Sequence, residues 1–493
     1  MTLDAPADTV SPRLLSRANA PLALGVVALV TLGAFENRAI STALPTMLGD
    51  LDAVTSFGVV TAAPLAAYLV SLATAGWWAD RRGPAPVLRA GAVTFLAGML
   101  ATAGAVALPV LVAGRLLGGL AEGLLDVGVT VLVARVLDLR LRPRVMALFA
   151  AAWVLPSVLG PVLTGAVTEA VGWRWVFAAG PVVLVPVWLA LRPAVASAGT
   201  SAGTSAGTSA GTSAGTSAGT SAVESPVDAR SLRDVLPWAA VAAAALVALS
   251  VVADRPTGSG AHGLGGGLAG PVSLGIVLAA SLVALTLSAR RLLPEGSLRA
   301  ACGLGGVVAL RGLLSASFMG VGAFLPLVLT VLRHHGPLTA GISLSITGVT
   351  WSAGSALQSR LAHRPMLLLR LGFGLLTAGL ATTSLLVWVD APTALGLTGW
   401  ALAGLGIGMT SSTLSVLTMA ASGEAEQGRN NAGGQMAASM ASAVFLAVAG
   451  GVLAGFGAPS RAAFGVVCGL AVSLALVAFL VTGRARCAVV PGP

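Results

Sequence analysis

Arg115, Glu122 and Asp126 are separated by 7 and 4 residues inside an otherwise apolar stretch. On an α-helix this spacing puts all three within about 40° of one another, as one column of opposite charges. Two carboxyls beside one guanidinium can hold a proton whose affinity changes as water reaches them from one side or the other. A static ion pair that fixes helix packing would use the same column, and spacing does not separate the two roles. Upstream, Glu36 and Arg38 form a second ionisable pair in apolar surroundings. A helical wheel sets Arg38 with Thr31, Ser41, Thr42 and Pro45, and places Glu36 about 200° away among Leu29, Ile40 and Ala43. Either Arg38 lines a cavity while Glu36 faces a neighbouring helix, or the helix is surrounded and both are buried in protein.

The elements that must hold these residues are membrane spans. The chain has 493 residues, 56% hydrophobic and 9% charged, and a bilayer core needs roughly 20 helical residues per crossing. Fourteen spans are predicted: 21–46, 54–78, 85–107, 109–134, 145–168, 173–191, 235–253, 271–289, 303–332, 338–359, 366–389, 394–420, 430–456 and 462–483. An even count puts both termini on one side. All 28 Lys+Arg residues are arginine; twenty-one fall in the termini and even-numbered loops, and four, Arg174, Arg255, Arg333 and Arg461, in the other loops. By the positive-inside rule both termini are expected in the cytoplasm. The expectation is thus an all-α polytopic protein of the plasma (inner) membrane.

That distribution also accounts for the net charge of +10, since the arginines form no stripe with interleaved aromatics that would read nucleic acid. A chain without lysine has no GxxxxGK[ST] phosphate loop, so direct ATP hydrolysis is not expected. No metal-ligand cluster or cofactor motif is present; His334-His335 reads as polar surface in an outer loop. Cys302, Cys468 and Cys487 are an odd, scattered set, from which neither a disulfide nor a zinc site is expected.

Residues 1–20 read as a cytoplasmic leader and 484–493 as a cytoplasmic tail, with the first span itself acting as the insertion signal. Within a linker at 192–234, residues 197–222 hold six Ser-Ala-Gly-Thr units and a final Ser-Ala, with no large apolar group to bury. As a flexible tether it would span about 25–30 Å. A longer repeat relates the flanking blocks. Thr42-Ala43-Leu44-Pro45 in the first span is matched by Ala323-Phe324-Leu325-Pro326 in the ninth. Gly119 and Gly123 lie 4 and 8 residues after Arg115, and Gly404 and Gly408 lie 4 and 8 residues after Trp400. Two six-helix bundles, 21–191 and 303–483, with two helices at 235–289 inserted between them, fit these landmarks.

Short motifs carry a family resemblance. Gly76-Trp77-Trp78-Ala79-Asp80-Arg81-Arg82-Gly83 resembles the GxxxD(R/K)xG loop of the major facilitator superfamily, with Pro84, Ala85 and Pro86 where further cations are usual. There Asp80 would pair with an arginine or meet a helix N-terminus, and so latch one conformation together with Gly76, Arg81 and Gly83. Gly160-Pro161-Val162-Leu163-Thr164-Gly165 in span five is similar to the antiporter motif GPxxGG. Glu36, nine positions upstream of the Leu44-Pro45 pair's last residue, resembles the acid of the fourteen-span drug:proton antiporter (DHA2-like) family, and Arg115 with Gly119 and Gly123 resembles the span-four motif RxxxGxxxG.

The resemblance implies a transporter rather than an enzyme. It further implies export of hydrophobic or amphiphilic compounds, such as drugs or antibiotics, in exchange for protons by alternating access. The expected source is bacterial and the expected state a monomer, with Glu36, Arg38, Arg115, Glu122 and Asp126 as proton-coupling candidates. Trp153, Asn431 and Gln435 are substrate-cavity candidates, the last two on a polar face with Ser439 and Ser442. Trp351 and Trp400 would line the cavity or, more commonly for Trp, anchor at the membrane interface. Arg311 is expected to snorkel toward the cytoplasmic face. A proton-coupled metabolite importer and a non-transporting sensor on the same fold are the competing readings.

Overall fold

The computed structural model describes residues 20–136, 142–205, 229–253, 271–361, 363–388, 390–422, 427–456 and 460–488. Its regular structure is helical, because apolar segments in lipid must satisfy every backbone polar group within themselves. Fourteen α-helices follow in order: α1 (Ala20–Asp50), α2 (Phe57–Arg82), α3 (Pro84–Ala103), α4 (Leu108–Val136), α5 (Arg142–Val171), α6 (Trp173–Ser205), α7 (Ala229–Ala253), α8 (Pro271–Leu292), α9 (Leu304–Leu327), α10 (Pro337–Arg360), α11 (Pro365–Ser384), α12 (Thr393–Ala420), α13 (Gln427–Gly455) and α14 (Arg461–Val481).

Each expected span falls on one of these helices, and among the described residues eleven are long and apolar enough to cross a membrane. The chain is a multi-pass membrane protein. Helix α10 is not among the eleven, because serine and threonine interrupt its apolar run. Its hydroxyls are satisfied locally: Ser343, Ser345 and Ser352 each donate to the carbonyl four residues back. So equipped, a polar helix can be buried between α5 and α12, which flank it.

One expected boundary shifts. Helix α6 does not stop near 191 but runs to Ser205, through the first two Ser-Ala-Gly-Thr units, because extending an existing helix costs far less than starting one. Residues 206–228 of the expected linker lie outside the described residues, as do the leader to residue 19 and residues 489–493. The expectation of no disulfide is overturned: Cys302 and Cys487 are bonded, with Cα atoms 5.5 Å apart across 185 residues of sequence. This pairing joins the start of α9 to the turn after α14, and chain spacing says nothing about a contact that remote. Cys468 is a buried free thiol.

The packing partners of the helices recur. Helix α4 lies against α2 and α3, α1 against α5 and α6, and α3 against α6; likewise α12 lies against α10 and α11, α9 against α13 and α14, and α11 against α14. Helix α5 also packs on α10 and α2 on α13, while α7 covers α2, α8 and α13. Close approach depends on glycine at matching points. A Cβ at Gly119 would fall on the carbonyl of Pro64 in α2, and one at Gly408 on the carbonyl of Trp351 in α10. The glycines that follow Arg115 and Trp400 therefore seat α4 on α2 and α12 on α10 in the same manner.

Candidate functional site

The two charge patterns read from sequence meet between α1 and α4. Glu36 Oε1 accepts a hydrogen bond from Arg115 Nη1, and this ion pair is buried, the two residues being 8% and 5% exposed. The neighbouring Asn37 donates through Nδ2 to Glu122 Oε1 at 3.4 Å. One turn further along α4, Asp126 Oδ2 accepts from the hydroxyl of Tyr68 on α2 at 3.2 Å. Arg115 is thus committed to Glu36 rather than to the acids of its own helix. A cavity of about 20 Å³, lined by Gly33, Glu36, Phe95, Gly118, Glu122 and Asp126 among others, adjoins all three carboxyls, and a space of that size admits a water-sized guest.

This geometry suits proton storage. The one cation is paired with Glu36, and among the described residues Glu122 and Asp126 have neutral hydrogen-bond partners only. A bound proton removes the cost of keeping such a group charged in a dry interior.

Arg38 points the other way, toward α5 and α10, while Glu36 faces α4 and lines the cavity there. Its guanidinium lies 6.0 Å from the ring centre of Trp351 on α10, and its Cβ sits beside Gly160 on α5. Phe318 on α9 packs edge-on against Trp351 at 5.8 Å and stacks flat on Trp400 of α12 at 4.8 Å. Trp400 is 1% exposed and so enclosed by protein rather than anchored in an interface, and Trp351 is half-buried.

Arg311 does not snorkel. It is half-buried, donating to Gln435 Oε1 at 2.8 Å and to Ser415 Oγ at 3.5 Å, because α12 and α13 offer acceptors at its own depth. On the polar face of α13, Gln435 thus meets Arg311 and Ser442 meets Ser315 at 2.9 Å, while Asn431 is exposed. Its neighbour Asn430 is the buried one, donating to Ser422 at 2.9 Å. The side chain of Trp153 lies outside the described residues.

The two short motifs occupy helix ends and seams. Gly83 has φ +78 at the joint between α2 and α3, a conformation that a residue with a Cβ adopts only under strain. Arg81 is exposed, with its guanidinium 4.6 Å from the Trp77 ring; a Cβ at Gly76 would meet nothing. The side chain of Asp80 lies outside the described residues. Pro161 and Gly165 lie on the α5 face toward α10, where the Pro161 carbonyl abuts Gly341 and Gly165 abuts Pro337, while Gly160 faces Phe35 and Arg38 of α1.

Two site residues escaped sequence reasoning. Asn37 lies next to Glu36 in the chain, and Tyr68 is the only tyrosine in 493 residues. That rarity within an apolar span was a usable signal, but its partner Asp126 is 58 positions away.

Comparison with known proteins agrees with this architecture. The model of the Major Facilitator Superfamily matches residues 26–445. The Acurin A biosynthesis cluster MFS-type transporter of Aspergillus aculeatus is 32% identical over 156 residues, covering 32% of this chain and 28% of that protein. Multidrug resistance protein 3 of Bacillus subtilis is 28% identical over 158 residues, covering 31% and 30% respectively. The chain thus spans under a third of the length of these curated relatives. Relatives from Aspergillus, Dothistroma and Schizosaccharomyces stand beside the Bacillus protein, so the mostly fungal set does not bear out the expected bacterial source. Among solved structures, an auto-inhibited POT family peptide transporter aligns over 94% of this chain and 97% of its own, with TM-score 0.66 and 13% identity. A D-xylose-proton symporter aligns over 93% and 97%, with TM-score 0.60 and 15% identity. With the family match spanning most of the helical array, the chain belongs to the Major Facilitator Superfamily, as a transporter rather than an enzyme.

Proposed function

We propose that the protein is a fourteen-span drug:proton antiporter that expels hydrophobic or amphiphilic compounds across the plasma membrane. The observation that carries this reading is the cluster of Glu36, Arg115, Glu122 and Asp126, in which three carboxyls line one cavity and only Glu36 is paired with the buried cation. Glu122 and Asp126 hold the transported proton, and the Glu36–Arg115 pair ties α1 to α4 so that their charge state reaches the helix that faces α10. Relatives named efflux pump and multidrug resistance protein support export as the direction.

In this reading α1–α6 and α9–α14 are two six-helix repeats, with α7 and α8 inserted between them and both termini in the cytoplasm. The recurrence of helix partners in the two blocks supports the repeat, and the arginine-rich loops support the orientation. The α5–α10 and α2–α13 seams are the surfaces on which the repeats rock, with Pro161 and Gly165 at the first, Gly160 against α1, and the Gly76–Gly83 latch at the basic end of α2.

The test is internal pH in proteoliposomes containing the full chain, with an imposed proton gradient and lipophilic compounds added one by one. Substrate-dependent proton movement that disappears in an E122Q/D126N variant is expected. Compound flux that neither moves protons nor responds to the gradient overturns the coupling, and inward accumulation overturns the direction.

A further inference from the structure

We propose that Arg38 anchors the anionic group of a planar aromatic substrate, so that the preferred cargo is an aromatic carboxylate and not a lipophilic cation. The inference deepens the transport reading above and borrows from it only the word substrate.

Arg38 is half-buried on α1, yet its Nε is fully buried with no hydrogen-bond partner, and among the described residues its guanidinium has no carboxylate. The acids that share its helix or level are already engaged: Glu36 by Arg115, Glu122 by Asn37 and Asp126 by Tyr68. A guanidinium left without an anion at membrane depth is costly, and a ligand that brings the anion removes that cost. Its forked donors match a carboxylate in two parallel bonds.

The surroundings specify the rest of the ligand. The guanidinium sits over the half-buried Trp351, which is backed edge-on by Phe318 and, behind it, by the buried Trp400, whose Nε1 is a further buried donor without a partner. A flat ring can stack on Trp351. Across the protein, Arg311 likewise has only the neutral Gln435 and Ser415 as partners among the described residues. The membrane-depth charges are therefore sorted, with carboxyls between α1 and α4 and unneutralised cations toward α9 and α10. That arrangement repels a cationic drug from the aromatic surface and attracts an anionic one.

The test is a charge series on one ring frame: 2-naphthoate, 2-naphthamide and 2-naphthylmethylammonium, titrated calorimetrically into the full chain in lipid nanodiscs. Naphthoate is expected to bind about tenfold or more tighter than the other two. R38Q should lose that margin while keeping its naphthamide affinity, and R38K should retain part of it. Equal affinities across the series, tighter ammonium binding, no saturable naphthoate binding, or an unchanged margin in R38Q each overturn the proposal. The charge ranking of the unmodified protein decides the matter even if R38Q does not fold. Failure of the antiporter reading looks different: naphthoate is then preferred, but its addition to proteoliposomes moves no protons.

Discussion

Glu36 and Arg115, 79 positions apart in the chain, close a buried ion pair that binds α1 to α4. Two residues beyond Glu36, Arg38 faces α10, so a single helix presents an acid to one side and a base to the other.

Breaking that pair should cost more than its net contribution to stability. E36Q removes the ion-pair partner of the buried Arg115 and is expected to lower stability by up to about 3–5 kcal/mol, with E36Q/R115Q recovering part of the loss. Thermal unfolding in detergent compares the variants. Equal stability of E36Q and the unmodified protein would show the pair to be dispensable.

Glu122 and Asp126 should separate coupling from binding. Replacing either by its amide is expected to abolish gradient-driven transport while substrate counterflow persists, since counterflow needs the moving helices but no net proton transfer. Gradient-driven transport at full rate in both single variants would remove these residues from the coupling role.

The glycine seats should be sensitive to one methyl group. G119A and G408A each drive a Cβ into a backbone carbonyl of the facing helix, and are expected to cost about 1–3 kcal/mol. G76A, whose added carbon meets nothing, is the control and should fold normally. A transport defect confined to G76A would then be a conformational effect of the latch, read from flux at normal expression.

The cysteines should divide two to one. Peptide mapping of protein oxidised after purification, under non-reducing conditions, is expected to recover Cys302 linked to Cys487, and maleimide should reach these two only after reduction. Cys468, buried in α14, should stay unlabelled until the protein is unfolded. Labelling of Cys302 in the native, oxidised protein would contradict the pairing.

The membrane helices were legible because length and hydropathy act locally: a segment too short or too polar to cross lipid declares itself within about 20 residues. The column of Arg115, Glu122 and Asp126 was legible for the same reason, being a matter of helical spacing on one element. The repeat landmarks at Gly119 and Gly408 could be aligned, but their role as seats for α2 and α10 appears only where the backbones meet.

What the residues alone determined is therefore the set of helices and the charged faces they carry. Tertiary packing decided the partners: Glu36 with Arg115, Asp126 with Tyr68, Arg38 with Trp351, Arg311 with Gln435 and Cys302 with Cys487. The physical reason is that helical periodicity fixes the direction in which a side chain leaves its own helix, whereas the charge, ring or thiol it meets belongs to another helix, brought there by the packing of all the others.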